Sequence, residues 1–123
     1  WLSSDEDEVD KYINDPYCGG IASVGLYHDL FYGLKETYKQ KNRRRIPPDL
    51  AVYIFSGAQD PVGMNGKGVC KLVRSYQKLG IKDLTYKLYQ DGRHEMLNEV
   101  NRDKVIEDLL TWLEEKTIKA KSN

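Results

Sequence analysis

The hydrophobic positions of the chain form two short apolar runs and several stretches with helical spacing. Residues 51–56 are almost continuously apolar, which is typical of a strand covered on both faces in a parallel sheet. Residues 84–89 are predicted to be a second strand, and the apolar positions between the two runs recur every three or four residues. That spacing predicts a helix between the two runs, and Gly80 is placed to cap its C-terminus. The pattern predicts two parallel strands joined by one right-handed helical crossover.

Three further helices flank this unit. Ser3 and Ser4 precede a cluster of carboxylates, which is typical of a helix start because acidic side chains are stabilised near the positive end of the helix dipole. The spacing over residues 23–40 predicts an amphipathic helix that buries one stripe, formed by Tyr27, Leu30, Phe31, Leu34 and Tyr38. The spacing over residues 102–116 predicts a last helix, with a Lys-rich end beyond it that frays and an inward face formed by Val105, Ile106, Leu109, Leu110 and Leu113.

These elements define an α/β class, two parallel strands with flanking helices. A parallel pair has two open edges and too little surface to cover the helices and both strand faces. We therefore expect the two strands to be the end of a larger sheet. The open edge of the strand at residues 51–56 would also allow self-association of the chain.

Composition and charge remove several classes of partner. The 19 basic and 19 acidic residues cancel, so the net charge gives no argument for nucleic acid or for an anionic membrane. A basic run at residues 39–45 lacks interleaved aromatic residues and is interpreted as a solvated linker. No apolar run approaches the roughly 18 residues of a membrane-spanning helix. Cys18 and Cys70 are too few for a disulfide framework and lack C-x-x-C spacing, so we expect reduced thiols and neither cofactor nor metal. The acidic start of the chain is unlike a signal peptide, and we expect a cytoplasmic location.

Two residues with catalytic potential follow the two strands. Asp60 lies just after the first strand and His94 just after the second, and the loops after adjacent parallel strands leave the same edge of a sheet. A carboxylate there could orient the imidazole and stabilise its protonated form, as a triad acid does for a general base. Asp60 could equally cap its own turn, and His94 could be a surface residue. Asp91 precedes Gly92 in a D-G turn signature and is assigned to that turn.

A serine nucleophile is missing from the pattern. Serine hydrolases with the chain order serine, acid, histidine carry the nucleophile on a G-x-S-x-G turn, and no serine of this chain fits that motif. Ser23 has isoleucine where the first glycine should stand, and Ser56 lies at a strand end. The chain also begins with Trp1 rather than methionine. We therefore expect a piece of a longer protein, with the nucleophile upstream of Trp1 and no catalysis by this chain alone.

Four segments resemble a known family. FSGAQDPV at residues 55–62 and YQDGRHEMLNE at residues 89–99 are similar to the acid and histidine segments of α/β-hydrolases of the monoacylglycerol lipase and lysophospholipase type. WLSS and DPYCG, near the start, resemble the end of that family's cap region. The resemblance implies that Asp60 is the triad acid, that His94 is the general base, and that the strands are the last two of an eight-stranded sheet. It also implies that residues 1–22 end the cap and that residues 23–123 are the C-terminal part of the hydrolase domain.

The resemblance implies a carboxylic ester hydrolase that acts on a lipid-like or small ester. His94 would take the proton of the attacking serine and deliver it to the leaving alcohol. The apolar stripe of residues 27–38 could line an acyl-binding cleft, although packing of that helix on the sheet is the favoured interpretation. The alternative is a free-standing small α/β module that binds a partner through its strand edge, with Asp60 and His94 as turn residues.

Overall fold

The helices and strands are defined in a computed structural model that describes residues 1–121, with side chains as far as Ile118. They are α1 (Glu6–Asn14), α2 (Val24–Tyr38), α3 (Gln40–Arg43), β1 (Val52–Gly57), α4 (Lys67–Lys78), β2 (Leu84–Tyr89) and α5 (Arg102–Lys121). A single 3₁₀ turn at Met96–Asn98 precedes α5. No helix within the described residues is both long enough and apolar enough to cross a membrane.

The strands β1 and β2 lie side by side as a parallel pair. Their register runs from Val52 opposite Leu84 to Gly57 opposite Tyr89. Helix α4 makes the crossover, because a parallel connection must return the chain to the same end of the sheet. The predicted class, two parallel strands with flanking helices, is confirmed. Since both strands end at the same level, the loops after Gly57 and Tyr89 leave the same edge.

Local sequence signals account for the ends of the helices. Asp5 caps α1 by accepting hydrogen bonds from two amides of the first turn, so the cap lies one residue after the two serines that the pattern indicated. The Ser23 side chain caps α2 and accepts a hydrogen bond from the amide of Leu26 at 3.2 Å. Gly80 has a φ of +86°, the left-handed conformation predicted for a glycine that ends a helix.

The buried core lies beneath the end of β2. Tyr89, Met96 and Val105 form it, and Phe55 of β1 packs against it. The Tyr89 hydroxyl donates a hydrogen bond to a carboxylate oxygen of Asp108, on α5, at 2.8 Å. Burial, together with this hydrogen bond, raises the pKa of the Tyr89 phenol well above its usual range. The end of β2, the 3₁₀ turn and α5 therefore form one packed unit below the loop that carries His94.

The apolar stripe of α2 is exposed, so the prediction that it is buried is wrong. The exposed fractions of its residues range from 46% at Leu34 to 64% at Phe31. Helix α2 contacts chiefly α3, which follows it along the chain. A two-stranded sheet offers too little surface to receive every amphipathic helix. The stripe is therefore an apolar surface of the described chain.

Helix α5 also differs from the prediction. Val105 is buried and Leu109 is half-buried, but three residues of the expected inward face remain exposed: Ile106 (40%), Leu110 (53%) and Leu113 (44%). The physical reason is again the small sheet, which leaves part of the apolar face of α5 without a neighbour. The helix also continues past residue 116 to residue 121 and is therefore longer than predicted, while the fraying of its Lys-rich end stays a prediction. Residues 122–123 lie outside the described residues.

The basic run at residues 39–45 is only partly a solvated linker. Helix α2 ends at Tyr38, rather than at Gln40 as predicted, and α3 occupies the middle of the run. The guanidinium of Arg43 donates to the hydroxyl of Ser75 on α4 and lies 6.0 Å from the centroid of the Tyr38 ring. Arg43 therefore connects the end of α2 to α4, which a solvated linker residue would not do.

Candidate active site

Asp60 lies in the turn that follows β1 and is 5% exposed. One carboxylate oxygen, Oδ1, accepts a hydrogen bond from the amide of Val62 at 2.9 Å. The other, Oδ2, accepts a hydrogen bond from the amide of Gly63 at 3.1 Å. Asp60 therefore caps its own turn, as one interpretation of the sequence expected. The two amides also fix the orientation of the carboxylate, which is what an acid that orients a histidine requires.

His94 lies in the loop after β2 and contacts this same carboxylate. The distance from His94 Nδ1 to Asp60 Oδ1 is 3.2 Å. A proton on Nδ1 would be donated to the carboxylate, which favours the tautomer with a free Nε2 that can accept a proton from a nucleophile. The His94 side chain is 38% exposed, whereas that of Asp60 is 7% exposed. The structure thus brings together the two predicted site residues with a sheltered acid and an accessible imidazole.

A close approach of two glycines brings the loops of Asp60 and His94 together. A Cβ added to Gly57 would lie 2.1 Å from the carbonyl oxygen of Gly92, so only glycine fits there. The amide of Gln59 donates to the same Gly92 oxygen at 2.9 Å. Asp91 lies in the turn before it, where the amide of Gly92 donates to the carbonyl of Tyr89 at 3.1 Å. The turn assigned to Asp91 is confirmed. Gly92 of this turn also contacts Gly57 in the loop of Asp60.

A cleft of about 460 Å³ opens beside the pair. Its wall includes both site residues, three apolar residues and three polar ones, namely Phe55, Met96 and Leu97, and Ser56, Glu95 and Asn98. The hydroxyl of Ser56 donates to the carbonyl of Gly57 at 3.4 Å, and not to His94. Ser56 is therefore in the cleft without the nucleophile-to-base hydrogen bond that a triad serine would make.

The comparison with protein families shows to which family the chain belongs. The family model described as serine aminopeptidase, S33, which lies within the α/β-hydrolase superfamily, matches residues 1–101. The chain belongs to this family. The match includes β1, β2, Asp60, His94 and the N-terminal segment, so the predicted membership of the α/β-hydrolases is confirmed. No curated protein matched the chain significantly.

In this α/β-hydrolase chain the N-terminal residues contact the histidine loop, which the sequence patterns did not indicate. The Trp1 ring lies 5.1 Å from the His94 ring, centroid to centroid, with 44° between the ring planes. The amide of His94 donates to the carbonyl of Trp1 at 3.4 Å, and the amide of Glu95 donates to the carbonyl of Leu2 at 2.9 Å. The residues predicted to end the cap therefore lie against the predicted base.

Glu99 is a second feature beside the candidate site that the sequence patterns did not indicate. Its side chain is completely buried, and it accepts hydrogen bonds from the amides of Arg93 and Ser4. A single glutamate just before a helix usually indicates favourable contact with the helix dipole. The sequence contains no signal that would distinguish a buried Glu99 from that common case.

The remaining histidine and the two cysteines of the chain do not line the cleft. His28 and Asp29 form an exposed pair on α2, 3.0 Å apart, in agreement with their assignment to the helix surface. Cys18 and Cys70 are half-buried free thiols. Within residues 1–121, no three His, Cys, Asp or Glu side chains are grouped as metal ligands.

Proposed function

We propose that the protein is a carboxylic ester hydrolase of the lysophospholipase or monoacylglycerol lipase type. In this proposal Asp60 is the acid and His94 the general base of a Ser-Asp-His triad, and the serine lies outside residues 1–123. The observation that carries the proposal is the 3.2 Å contact between His94 Nδ1 and the oriented Asp60 carboxylate at the edge of a hydrolase-family sheet. This chain by itself would be inert, because its base has no nucleophile to deprotonate.

The proposed chemistry follows from the two nitrogens of His94. With Nδ1 held by Asp60, Nε2 accepts the serine proton as the serine oxygen attacks the ester carbonyl. The buried carboxylate stabilises the resulting imidazolium, which then donates its proton to the leaving alcohol. A water molecule then attacks the acyl-serine ester by the same steps: His94 accepts its proton and returns it to the serine as the carboxylic acid leaves. Three apolar side chains in the cleft, those of Phe55, Met96 and Leu97, support a substrate with a hydrocarbon portion.

Labelling with a fluorophosphonate tests whether a reactive serine accompanies this chain. The protein would be captured from its source cells with an antibody against residues 1–123 and then labelled. We expect a labelled band well above the 14.2 kDa of this chain. An unlabelled band near that mass would contradict the proposal and favour the free-standing binding module.

Substitution of the two site residues tests their roles. In the natural protein that contains this chain, we expect Asp60→Asn to lower kcat by about 10⁴-fold because the imidazole loses its orienting partner, and His94→Ala to lower it at least as much. His28→Ala is the matched control, because that histidine pairs with an exposed Asp on α2. Ester turnover that survives His94→Ala would refute the triad.

A substrate comparison tests the chemical class. We expect hydrolysis of monoacylglycerols and of p-nitrophenyl esters, with kcat/KM rising as the acyl chain lengthens. Aminoacyl p-nitroanilides are the comparison set, because the matching family model is described as an aminopeptidase. Turnover confined to the anilides would overturn the ester proposal and leave the roles of Asp60 and His94 intact.

A further inference from the structure

Glu99 is completely buried although carboxylates are among the groups least often found inside proteins. Its Oε1 accepts a hydrogen bond from the amide of Arg93 at 2.7 Å. Both carboxylate oxygens lie 3.1 Å from the amide of Ser4, and Oε2 also accepts a hydrogen bond from the Ser4 hydroxyl. Burial acts to raise the pKa of Glu99, but the hydrogen bonds from Ser4 and Arg93 outweigh it and lower the pKa. Glu99 is therefore held as an anion by directional donors.

These donors come from two segments of the chain, one of which, that of Ser4, lies 95 positions before Glu99. Arg93 immediately precedes His94, and Ser4 ends the N-terminal segment of residues 1–4. The guanidinium of Arg93 also donates to the carbonyl of Ser3 at 3.0 Å. Glu99 thus links the N-terminal segment, through hydrogen bonds, to the loop that carries the predicted base.

Glu99 and residues 1–4 accept hydrogen bonds from the backbone of the His94 loop. Three consecutive amides donate outward: that of Arg93 to Glu99, that of His94 to the carbonyl of Trp1, and that of Glu95 to the carbonyl of Leu2. The His94 side chain itself has a single hydrogen bond to protein, the 3.2 Å contact with Asp60, among the contacts given for the described residues. The position of the ring relative to Asp60 therefore depends on a backbone that Glu99 and residues 1–4 hold in place.

We propose that Glu99 is a positioning residue for His94, and that it keeps the imidazole against Asp60 by docking residues 1–4 on the histidine loop. Release of the N-terminal segment would then release the ring, so the end of the predicted cap and the predicted base are coupled through one buried carboxylate. The catalytic consequence rests on the proposed function, whereas the placement of the ring does not.

Kinetics on the natural protein that contains this chain test the catalytic consequence. We expect Glu99→Ala to lower kcat for ester hydrolysis by about 10²-fold, the effect of misplacing a reacting group by roughly 1 Å, with KM changed less than about twofold. Glu99→Gln should lower kcat as well, because an amide offers one acceptor oxygen and would turn a donor toward Ser4 or Arg93. A kcat for Glu99→Ala within twofold of the wild type, while His94→Ala abolishes turnover, would overturn the proposal.

Asp83→Asn is the matched control. The Asp83 carboxylate accepts hydrogen bonds from Lys116 at 2.6 and 2.7 Å, but it lies just before β2, at the end of the strand opposite His94. We expect this variant to keep the wild-type kcat. An equal loss of kcat in Asp83→Asn and Glu99→Ala would indicate general destabilisation and overturn a specific role for Glu99. If Glu99→Ala does not fold, Ser4→Ala is the second variant, because it removes one donor and keeps the contact between Glu99 and Arg93.

The NMR signal of the His94 Nδ1 proton separates this inference from the proposed function. We expect a slowly exchanging, downfield signal in the wild type and in Asp83→Asn, and its loss in Glu99→Gln and Ser4→Ala. Persistence of the signal in both Glu99→Gln and Ser4→Ala would overturn the positioning role. If His94→Ala leaves ester turnover unchanged, the proposed function fails, and the signal still decides whether Glu99 positions the ring.

Discussion

Replacement of Gly57 by alanine should separate the two loops of the candidate site. The new Cβ would lie 2.1 Å from the Gly92 carbonyl oxygen and 2.2 Å from the Arg93 carbonyl oxygen. Ordinary van der Waals contact begins near 3.4 Å, so the backbones must part by more than 1 Å. Both obstructing atoms belong to the backbone and cannot rotate away as the end of a side chain can. The contact between Asp60 and His94, now at 3.2 Å, would be lost.

The magnitude follows from overpacking and from misplacement of the base. Forcing a methyl group into a filled position costs about 1–3 kcal/mol of folding free energy. A displacement of about 1 Å between catalytic groups lowers the rate by roughly 10²-fold. Urea unfolding of the chain measures the first effect, and kcat/KM for the proposed ester hydrolysis measures the second.

Gly33→Ala is the control for this experiment. Gly33 lies in α2, and a Cβ added there meets nothing within 4 Å. Alanine is a better helix former than glycine, so this variant should raise the free energy of unfolding by up to about 1 kcal/mol. If Gly57→Ala matches Gly33→Ala in both unfolding and turnover, the argument that close approach of the loops aligns the site is wrong.

Three further predictions concern stability and assembly. The hydrogen bond from Lys87, with that from Tyr89, holds the pKa of Asp108 below its ordinary value of 3.8. This contribution to stability is present above the unfolded-state pKa and is lost as the pH falls through the lower folded-state pKa. Wild-type stability should thus fall more steeply than that of Asp108→Asn below about pH 4 in acid titrations, and equal slopes would argue against it. Gly80→Ala should cost about 1–2 kcal/mol in urea unfolding because φ there is +86°, and an unchanged midpoint would contradict the strain. We also propose that the isolated chain self-associates through the free edge of β1, which a monodisperse monomer in sedimentation at high micromolar concentration would refute.

The pair of Asp60 and His94 was predicted and Glu99 was missed, because only the pair follows a regular rule of sheet geometry. Asp60 and His94 could be paired in advance because each follows a strand, and adjacent parallel strands end at one edge. Glu99 could not be identified, since its partner Ser4 is 95 positions away and belongs to a segment without strand or helix periodicity. No local pattern records which carboxylate a distant amide will reach.

The apolar stripes show a different limit. Periodicity correctly placed helices α2 and α5, and it grouped Leu30 with Leu34 and Ile106 with Leu110 on common faces. It also predicted that these faces are buried, whereas all four residues are at least 40% exposed. Spacing determines which side chains share a face of a helix, but burial depends on whether another element of sufficient area lies opposite.

The sequence by itself determined the α/β class, the type and order of the main elements, and the two residues that meet at the strand ends. These features follow from short-range rules: the period of apolar positions, turn residues such as Gly80, and the geometry of parallel strands. Only the tertiary structure decided which apolar faces are covered, that Gly57 and Gly92 touch, and that Glu99 joins the N-terminal segment to the His94 loop. Contacts of this kind depend on the three-dimensional path of the whole chain, because each requires distant segments to meet within hydrogen-bond or van der Waals distance.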